Sequence, residues 1–317
     1  MAGTFSKLRA IDPSRYIVYV GFIIILVGFS IVLRDAGFLT TRNLLNIVQQ
    51  TAPITVMAVG MVFVLTAGEI DLSIGPIVAV SALISAIVLR ENFWFLGAGA
   101  GLAAGAAIGA VNGLLVAYMR LPSFLVTLAT MGFLAGVARW LTDLQSVPIT
   151  NDTFTGIFGG GSLFGIPSLV LWSVGIVVLG HFFYRETRYG AHVHAIGDNP
   201  QGARAVGIRV DRVRFSVMVL SGAAAGLAGL LYSGRLHGAR YTLGETDLLT
   251  VIAAVIVGGT RLNGGVGTVF GALIGSLLMG LLNNGLILMG LSVSEQLMVR
   301  GLIILAAIAL TLREARR

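Results

Sequence analysis

The amino-acid sequence predicts an all-α fold: a polytopic membrane protein of about ten transmembrane helices with an inverted internal repeat. Three observations carry that expectation. Of 317 residues, 56% are hydrophobic and only 11% charged, whereas soluble domains carry about 25% charged residues. Apolar runs of about 20 residues recur along the chain, the length needed to cross a ~30 Å hydrocarbon core as helix. Two stretches of the chain also repeat each other, and the spans between them place the copies on opposite sides of the membrane.

Ten runs read as spans: 16–33, 44–66, 72–89, 93–118, 122–141, 167–184, 214–234, 247–260, 266–289 and 294–312. Their continuity, with no alternation of polar and apolar residues, excludes a β-barrel. The first run follows a basic segment but lacks a small-residue cleavage site and exceeds a signal-peptide core in length, so it is expected to be retained. Span 44–66 holds Gln49-Gln50-Thr51-Ala52-Pro53 at its middle, and span 72–89 carries Gly75-Pro76 near its start. Span 93–118 has glycine at every fourth position from Gly97 through Gly101, Gly105 and Gly109 to Gly113. Cysteine is absent, which excludes disulfides, thiolate metal sites and thiol redox chemistry.

The net charge of +7 does not point to nucleic acid once its placement is considered. With ten spans both termini share a side, and that side holds fourteen of the twenty-one basic residues, among them Lys7, Arg120, Arg185, Arg204, Arg214 and Arg317. The other side holds Arg34, Arg42, Arg90, Arg235 and Arg240, with Arg139 and Arg300 near its helix ends. Basic residues favour cytoplasmic loops, so both termini and the loop 185–213 are expected in the cytoplasm. The chain is read as one transmembrane domain, 1–317, with repeat halves at about 44–141 and 214–312.

The repeat rests on Gly68-Glu69-Ile70-Asp71-Leu72 against Gly244-Glu245-Thr246-Asp247-Leu248, and on GAAIG (105–109) against GALIG (271–275). The matching glycine-striped helices run in opposite directions in this topology, the signature of inverted-repeat transporters. The second copy is shorter, with Gly258-Gly259 ending its first helix. Interrupted or short helices at matching places point to a solute path. The glycines Gly101, Gly105, Gly109, Gly271 and Gly275 are read chiefly as packing positions, because small residues let membrane helices approach where lipid supplies no hydrophobic drive.

Several polar side chains are candidates for the path. Pro53 removes one helical hydrogen bond and leaves the Gln49 carbonyl without its usual partner, so Gln49, Gln50 and Thr51 offer amides, a hydroxyl and a carbonyl to a hydroxylated solute. Ser73, Asn112, Asn283 and Asn284 are further candidates. The alternative for each is a bridge between neighbouring helices. Asp71 and Asp247 precede apolar runs and are read as helix-capping carboxylates. Arg300 is expected to snorkel outward.

Enzyme readings fail on residue types. The only lysine, Lys7, precedes the first span, so neither a Walker A lysine nor a Schiff base is available. Gly258-Gly259 and Gly264-Gly265-Val266-Gly267 look phosphate-cradling but are read with Arg261 as a tight turn. His192 and His194 are read as solvated. No cofactor or metal is expected in the chain itself. What remains is a transport fold that uses an ion gradient or borrows ATP hydrolysis from another subunit.

The stretch 185–214, RETRYGAHVHAIGDNPQGARAVGIRVDRVR, holds six arginines between apolar runs and favours borrowing. Asp198 or Asn199 can cap a short helix with Pro200 in its first turn, and Gly207 can end it in the left-handed conformation. Such a helix, rimmed by Arg204 and Arg209, suits a groove on a soluble motor.

With those residues the chain resembles the permease subunits of bacterial ATP-binding-cassette (ABC) importers for simple sugars, the ribose, xylose and arabinose systems. The segments that carry the likeness are GMVFVLTAGEIDLSIG (60–75), RYGAHVHAIGDNPQGARAVGI (188–208), VIAAVIVGGTRLNGGVGTVFGALIG (251–275) and LLNNGLILMGLS (281–292). The resemblance covers residues 44–312. It implies a bacterial inner-membrane homodimer, a partner ABC ATPase subunit that binds ATP and Mg, and an extracytoplasmic sugar-binding protein. It also implies that Gly197, Asp198, Asn199, Pro200, Ala203, Arg204, Gly207 and Ile208 belong to a coupling helix that receives the motion of the ATPase. Glu69 departs from the family pattern, where a second glycine is more usual. Permeases for branched-chain amino acids or nucleosides are the nearest alternative, and an ion-coupled transporter is the more distant one.

Overall fold

The computed structural model describes residues 17–91, 93–299, 301–302 and 305. Arg300 and most of the run expected at 294–312 lie outside the described residues. In chain order the helices are α1 (Ile17–Val32), α2 (Thr41–Thr66), α3 (Ile74–Leu89), α4 (Trp94–Gly113), α5 (Ser123–Trp140) and the single turn α6 (Asp152–Thr155). They continue with α7 (Ser168–Arg185), α8 (Arg188–Asp198), α9 (Pro200–Ala205), α10 (Val210–Leu236), α11 (Asp247–Val257) and α12 (Val269–Leu288). Six of these are long and apolar enough to cross a membrane: α2, α5, α7, α10, α12, and α4 together with the π-helical turn Leu114–Tyr118 that extends it. The apolar helices α1, α3 and α11 are shorter.

The described residues also include a π-helical turn at Gly156–Gly160, helical residues at 293–299 and four two-residue strands. β1 (Val147–Pro148) pairs antiparallel with β4 (Gly238–Ala239), and β2 (Ser162–Leu163) pairs with β3 (Ile166–Pro167) in a small hairpin. The first pair fastens the excursion between α5 and α7 to the end of α10.

Helices α2 and α10 form the centre. From Thr51 to Thr66, α2 is buried at all but one position, because α10, α12, α7 and α11 all pack on it. α4 and α3 pack on α10, α12 and α11 on α2, and α1 lies outside α12. The outer helices turn large apolar side chains outward, including Ile23, Ile24, Phe133, Trp140, Val178 and Phe182. An apolar outer surface around buried polar groups is the arrangement a bilayer requires.

The glycine stripe of α4 explains its closeness to α10. A Cβ on Gly105 would lie 2.5 Å from the Gly222 carbonyl oxygen, and one on Gly109 2.5 Å from that of Met218. Gly101 meets Ser81 of α3 and Leu230 of α10 in the same way. On α12 the stripe serves a different neighbour: Gly271 and Gly275 abut Gly258 and Ala254 at the end of α11. Two matching sequences therefore solve two packing problems.

α3 starts inside the molecule, at buried Ser73 and Ile74, whereas the start of α11 is exposed at Thr246 and Leu249. Residues 67–73 run without regular structure from the end of α2 to Ile74, and Asp71 on that segment bonds to Ser221 near the middle of α10. α11 has 11 residues, which at ~1.5 Å rise cannot cross a ~30 Å core. Gly75 at the start of α3 lies against the Gly244 carbonyl in the segment leading to α11. The two interrupted regions meet.

Gly105→Leu should destabilise the fold by about 1–3 kcal/mol or more, because backbone stands where the side chain must go. Thermal unfolding of the purified permease in detergent checks this; an unchanged midpoint would mean that the helices do not cross so closely.

Candidate functional site

Two regions concentrate polar and conformationally special residues, one at each end of the bundle. At the first, α8 is laid against α7 and the end of α2, and α9 against α8 and the start of α10. Thr187 begins α8 by accepting the Gly190 amide at 3.4 Å. Asn199 separates the two helices and caps α9, its Oδ1 accepting the amides of Gln201 (3.1 Å) and Gly202 (2.9 Å). Pro200 occupies the first turn, where no donor is needed. Gly207 closes α9 at φ +85°, with Ile208 N–H donating to the Ala203 carbonyl at 3.0 Å. Ala203 is buried beneath the helix, while Val206 at its tip is 77% exposed.

Behind α9 the contact with the membrane bundle is made by backbone. A Cβ on Gly197 would collide with the Thr66 carbonyl. The Gly265 amide donates to that same carbonyl at 2.9 Å. Gly264, at φ +88°, lies against Gly197 and Gly68. His194 is not solvated: its Nδ1 is 2.9 Å from the Gly265 carbonyl, and its ring packs on Tyr184 at 4.6 Å. Tyr184 in turn shares a hydrogen bond with Thr66 at 2.8 Å. The glycine-rich turn after α11 is thus a clasp, closed by Arg261 N–H donating to the Val266 carbonyl at 2.9 Å, and it joins α8 to the end of α2.

Glu69 and Arg214 lock the same end from the other side. Arg214 Nε lies 2.8 Å from Glu69 Oε1, a close ion pair whose Nε–H has no aligned acceptor. Burial pushes the Glu69 carboxyl up, and Arg214 beside it pulls the other way. Arg204 of α9 pairs with Asp211 at 2.8 Å. Asp198, expected as a possible cap, yields that role to Asn199, and its backbone rests against Gly265.

The second region is a cleft of about 530 Å³ at the opposite end of α2, lined by Ala36, Gly37, Thr40, Arg42, Asn43, Asn46 and Gln49. Asn43 and Asn284 face each other in a reciprocal amide pair, at 3.0 and 2.9 Å. Arg235 donates to Asn46 at 3.0 Å. Gln49 is therefore in the cleft, and Gln50 is half-buried on the neighbouring side of α2. Asn283 is half-buried on α12 beside Asn284. Thr51 turns back on its own helix, donating to the Ile47 carbonyl at 2.5 Å, and faces Gly280 of α12.

Ser73 and Asn112 lie elsewhere, in a closed network inside the bundle. Asp71 accepts from the Ser73 amide (2.9 Å), the Ser73 hydroxyl (2.6 Å) and Ser221 (2.7 Å). Asn112 donates to Ser73 at 2.9 Å and accepts from Thr130 at 2.7 Å. These contacts tie α3, α4, α5 and α10 together; Asp71, read from the sequence as a cap, holds Ser73 just ahead of α3, and no side chain caps the first amides of the helix itself. Asn43, Asn46 and Arg235 escaped sequence reasoning, since they sit near helix ends where amides and arginines are ordinary. The spacing of Asn43, Asn46 and Gln49, one turn apart each, was the available signal.

A helical bundle with interrupted inner helices, a polar cleft at one end and a capped surface helix at the other has the build of a membrane transport subunit. The family described as branched-chain amino acid transport system / permease component matches residues 43–308, and the chain belongs to it. The chain is similar to the ribose import permease protein RbsC of Escherichia coli (strain K12), 41% identical over 280 residues, 86% of each chain. It is similar to the L-arabinose ABC transporter permease protein AraH of Azospirillum brasilense, 37% identical, covering 90% of this chain and 84% of the relative. The xylose transport system permease protein XylH of Haemophilus influenzae is 31% identical, over 95% and 97%. No solved structure matches. The chain is accordingly a transport subunit of the inner membrane and not an enzyme, and its family implies ATPase and substrate-binding protein partners.

Asn43→Leu should cost about 1–3 kcal/mol by leaving the Asn284 amide buried without its partner, while the double change with Asn284→Leu should recover much of the loss. Unfolding midpoints of the three variants test this; a double variant no better than Asn43→Leu would mean that the amides do not act as a pair.

Proposed function

We propose that this permease moves a monosaccharide of the ribose, xylose or arabinose kind inward across the cytoplasmic membrane, driven by ATP hydrolysis in a separate subunit. The observation that carries the reading is the end of α8, held through Gly197 and Gly265 to the end of α2 and continued through Asn199 into the capped helix α9; the far end of α2 lines the polar cleft. A push on α9 would reach the cleft along one rigid element. The curated relatives named above support the sugar class over branched-chain amino acids or nucleosides. In this reading residues 197–208 are the coupling element. Gln49, with Asn43 and Asn46 beside it, meets the solute, and Gln50 and Asn283 flank the path.

The wider arrangement follows from the same reading. The α9 face is cytoplasmic, as are both termini, and the chain crosses ten times, with α3 and α11 as interrupted crossings. Grouping of charge supports this: Arg120, Arg204 and Arg214 gather at one end, while Arg42 and Arg235 lie at the other with Arg139, which pairs with Glu245. An inverted repeat is supported by corresponding partners, since α2 packs on α12 as α10 packs on α4, and by the matching glycines Gly68 and Gly244, at φ +79° and +76°. Two copies of the permease form the passage. They bind no cofactor of their own, ATP and Mg being held by the ATPase, while an extracytoplasmic binding protein delivers the sugar.

Gly207→Val should strain the end of α9, since a β-branched residue tolerates φ > 0 poorly. Transport should fall with loss of ATPase co-purification or of ATPase stimulation, while the unfolding midpoint of the permease stays near wild type; normal transport and assembly would remove α9 from the coupling role. Gln49→Leu should lower sugar uptake at least about fivefold, one hydrogen bond's worth, with the ATPase still bound. Uptake at the wild-type rate would place the path away from this cleft.

A further inference from the structure

Beside α9 lies a second cleft, of about 400 Å³, lined by Gly68, Glu69, Val116, Arg120, Leu121, Pro122, Ser123, Phe124, Arg204 and Arg214. Three guanidinium groups line it with one carboxylate; Arg214 is paired with Glu69 and Arg204 with Asp211 just outside the lining, so the charge of Arg120 is left as an excess of one. Arg214 Nε is buried without an aligned acceptor, and Arg120 is held out on a left-handed backbone (φ 57°) just after the π-helical turn. From the mouth of the cleft Leu121, Phe124, Leu125 and Leu128 continue along α5. Leu121 stands just before α5, and Leu128 lies one helical turn on from Phe124 and Leu125; all four are 40–57% exposed.

We propose that this cleft binds the headgroup of an anionic phospholipid, with its acyl chain lying along the Leu121–Leu128 stripe of α5. The charge excess suits a phosphodiester, and basic pockets between membrane helices on the cytoplasmic side recognise such headgroups. A soluble anion would use the guanidinium groups alone; the adjoining apolar track is what commits the site to a lipid. Arg204 belongs to α9 as well as to the cleft, so the lipid sits where it steadies the coupling helix against the bundle. The inference rests on the membrane placement proposed above. Its test is nevertheless separable, since lipid binding in detergent does not depend on which side of the membrane the face occupies, whereas a reporter fused to the C-terminus reads only that.

The test is a titration of the purified full-length permease with short-chain phosphatidylglycerol and with phosphatidylcholine, followed by native mass spectrometry. Phosphatidylglycerol should bind at least about fivefold more tightly, and Arg120→Gln should remove about that factor, the contribution of one guanidinium at a membrane surface. Arg120 is exposed, so that variant keeps the fold. Leu125→Ser should weaken the lipid while leaving its headgroup preference intact. Equal affinity for the two lipids, or a preference unmoved by Arg120→Gln, would overturn the proposal. Full competition by glycerol phosphate, free of acyl chains, would overturn it too, as a site for a soluble anion.

Discussion

The junction at Thr66 governs how the two ends of this molecule communicate. Its carbonyl, at the end of α2, accepts the Gly265 amide and touches Gly197, so three segments far apart in sequence meet at one oxygen. Such an approach is open only to residues without a Cβ. Because the contact is backbone to backbone, it has no long side chain to bend, and displacement of α8 passes to α2 with little slack. Tyr184 and His194 brace the same point from the side. The function proposed for α9 depends on this stiffness more than on α9 itself.

A second constraint comes from hydrocarbon, which leaves no polar group without a partner at low cost. The irregular segment 67–73 answers it with Asp71, whose carboxylate takes hydrogen bonds from Ser73 and from Ser221 while Asn112 links Ser73 to Thr130. Four helices are thereby tied to one interrupted strand of chain. The same requirement explains the Asn43–Asn284 pair, where two amides satisfy each other across α2 and α12. Polar residues in this bundle therefore divide into closed networks and an open cleft. The closed ones make shape, and the open one is where the proposed function puts the solute.

That division marks what the sequence could disclose. Apolar runs located α1 to α5, α7 and α10 to α12 within a few residues, because hydrocarbon thickness acts on each run separately. The cap at Asn199 and the stop at Gly207 were legible for a similar reason: their chemistry is local. Whether Asn112 lines a passage or bridges helices was not legible, since the answer lies with Ser73 and Thr130 on other elements. The role of Glu69 was hidden likewise, its partner Arg214 being supplied from the start of α10. Matching glycine motifs signalled close packing correctly but not with which helix, as the different neighbours of Gly105 and Gly271 make plain.

The short ladder between Val147–Pro148 and Gly238–Ala239 acts as a rivet through two parts that would otherwise slide. It pins the covering loop of residues 141–167 to the top of the post formed by α10, close to where Arg235 reaches across to Asn46. A tilt of that post would therefore carry the loop and the Asn46 wall of the cleft together, as one hinged assembly.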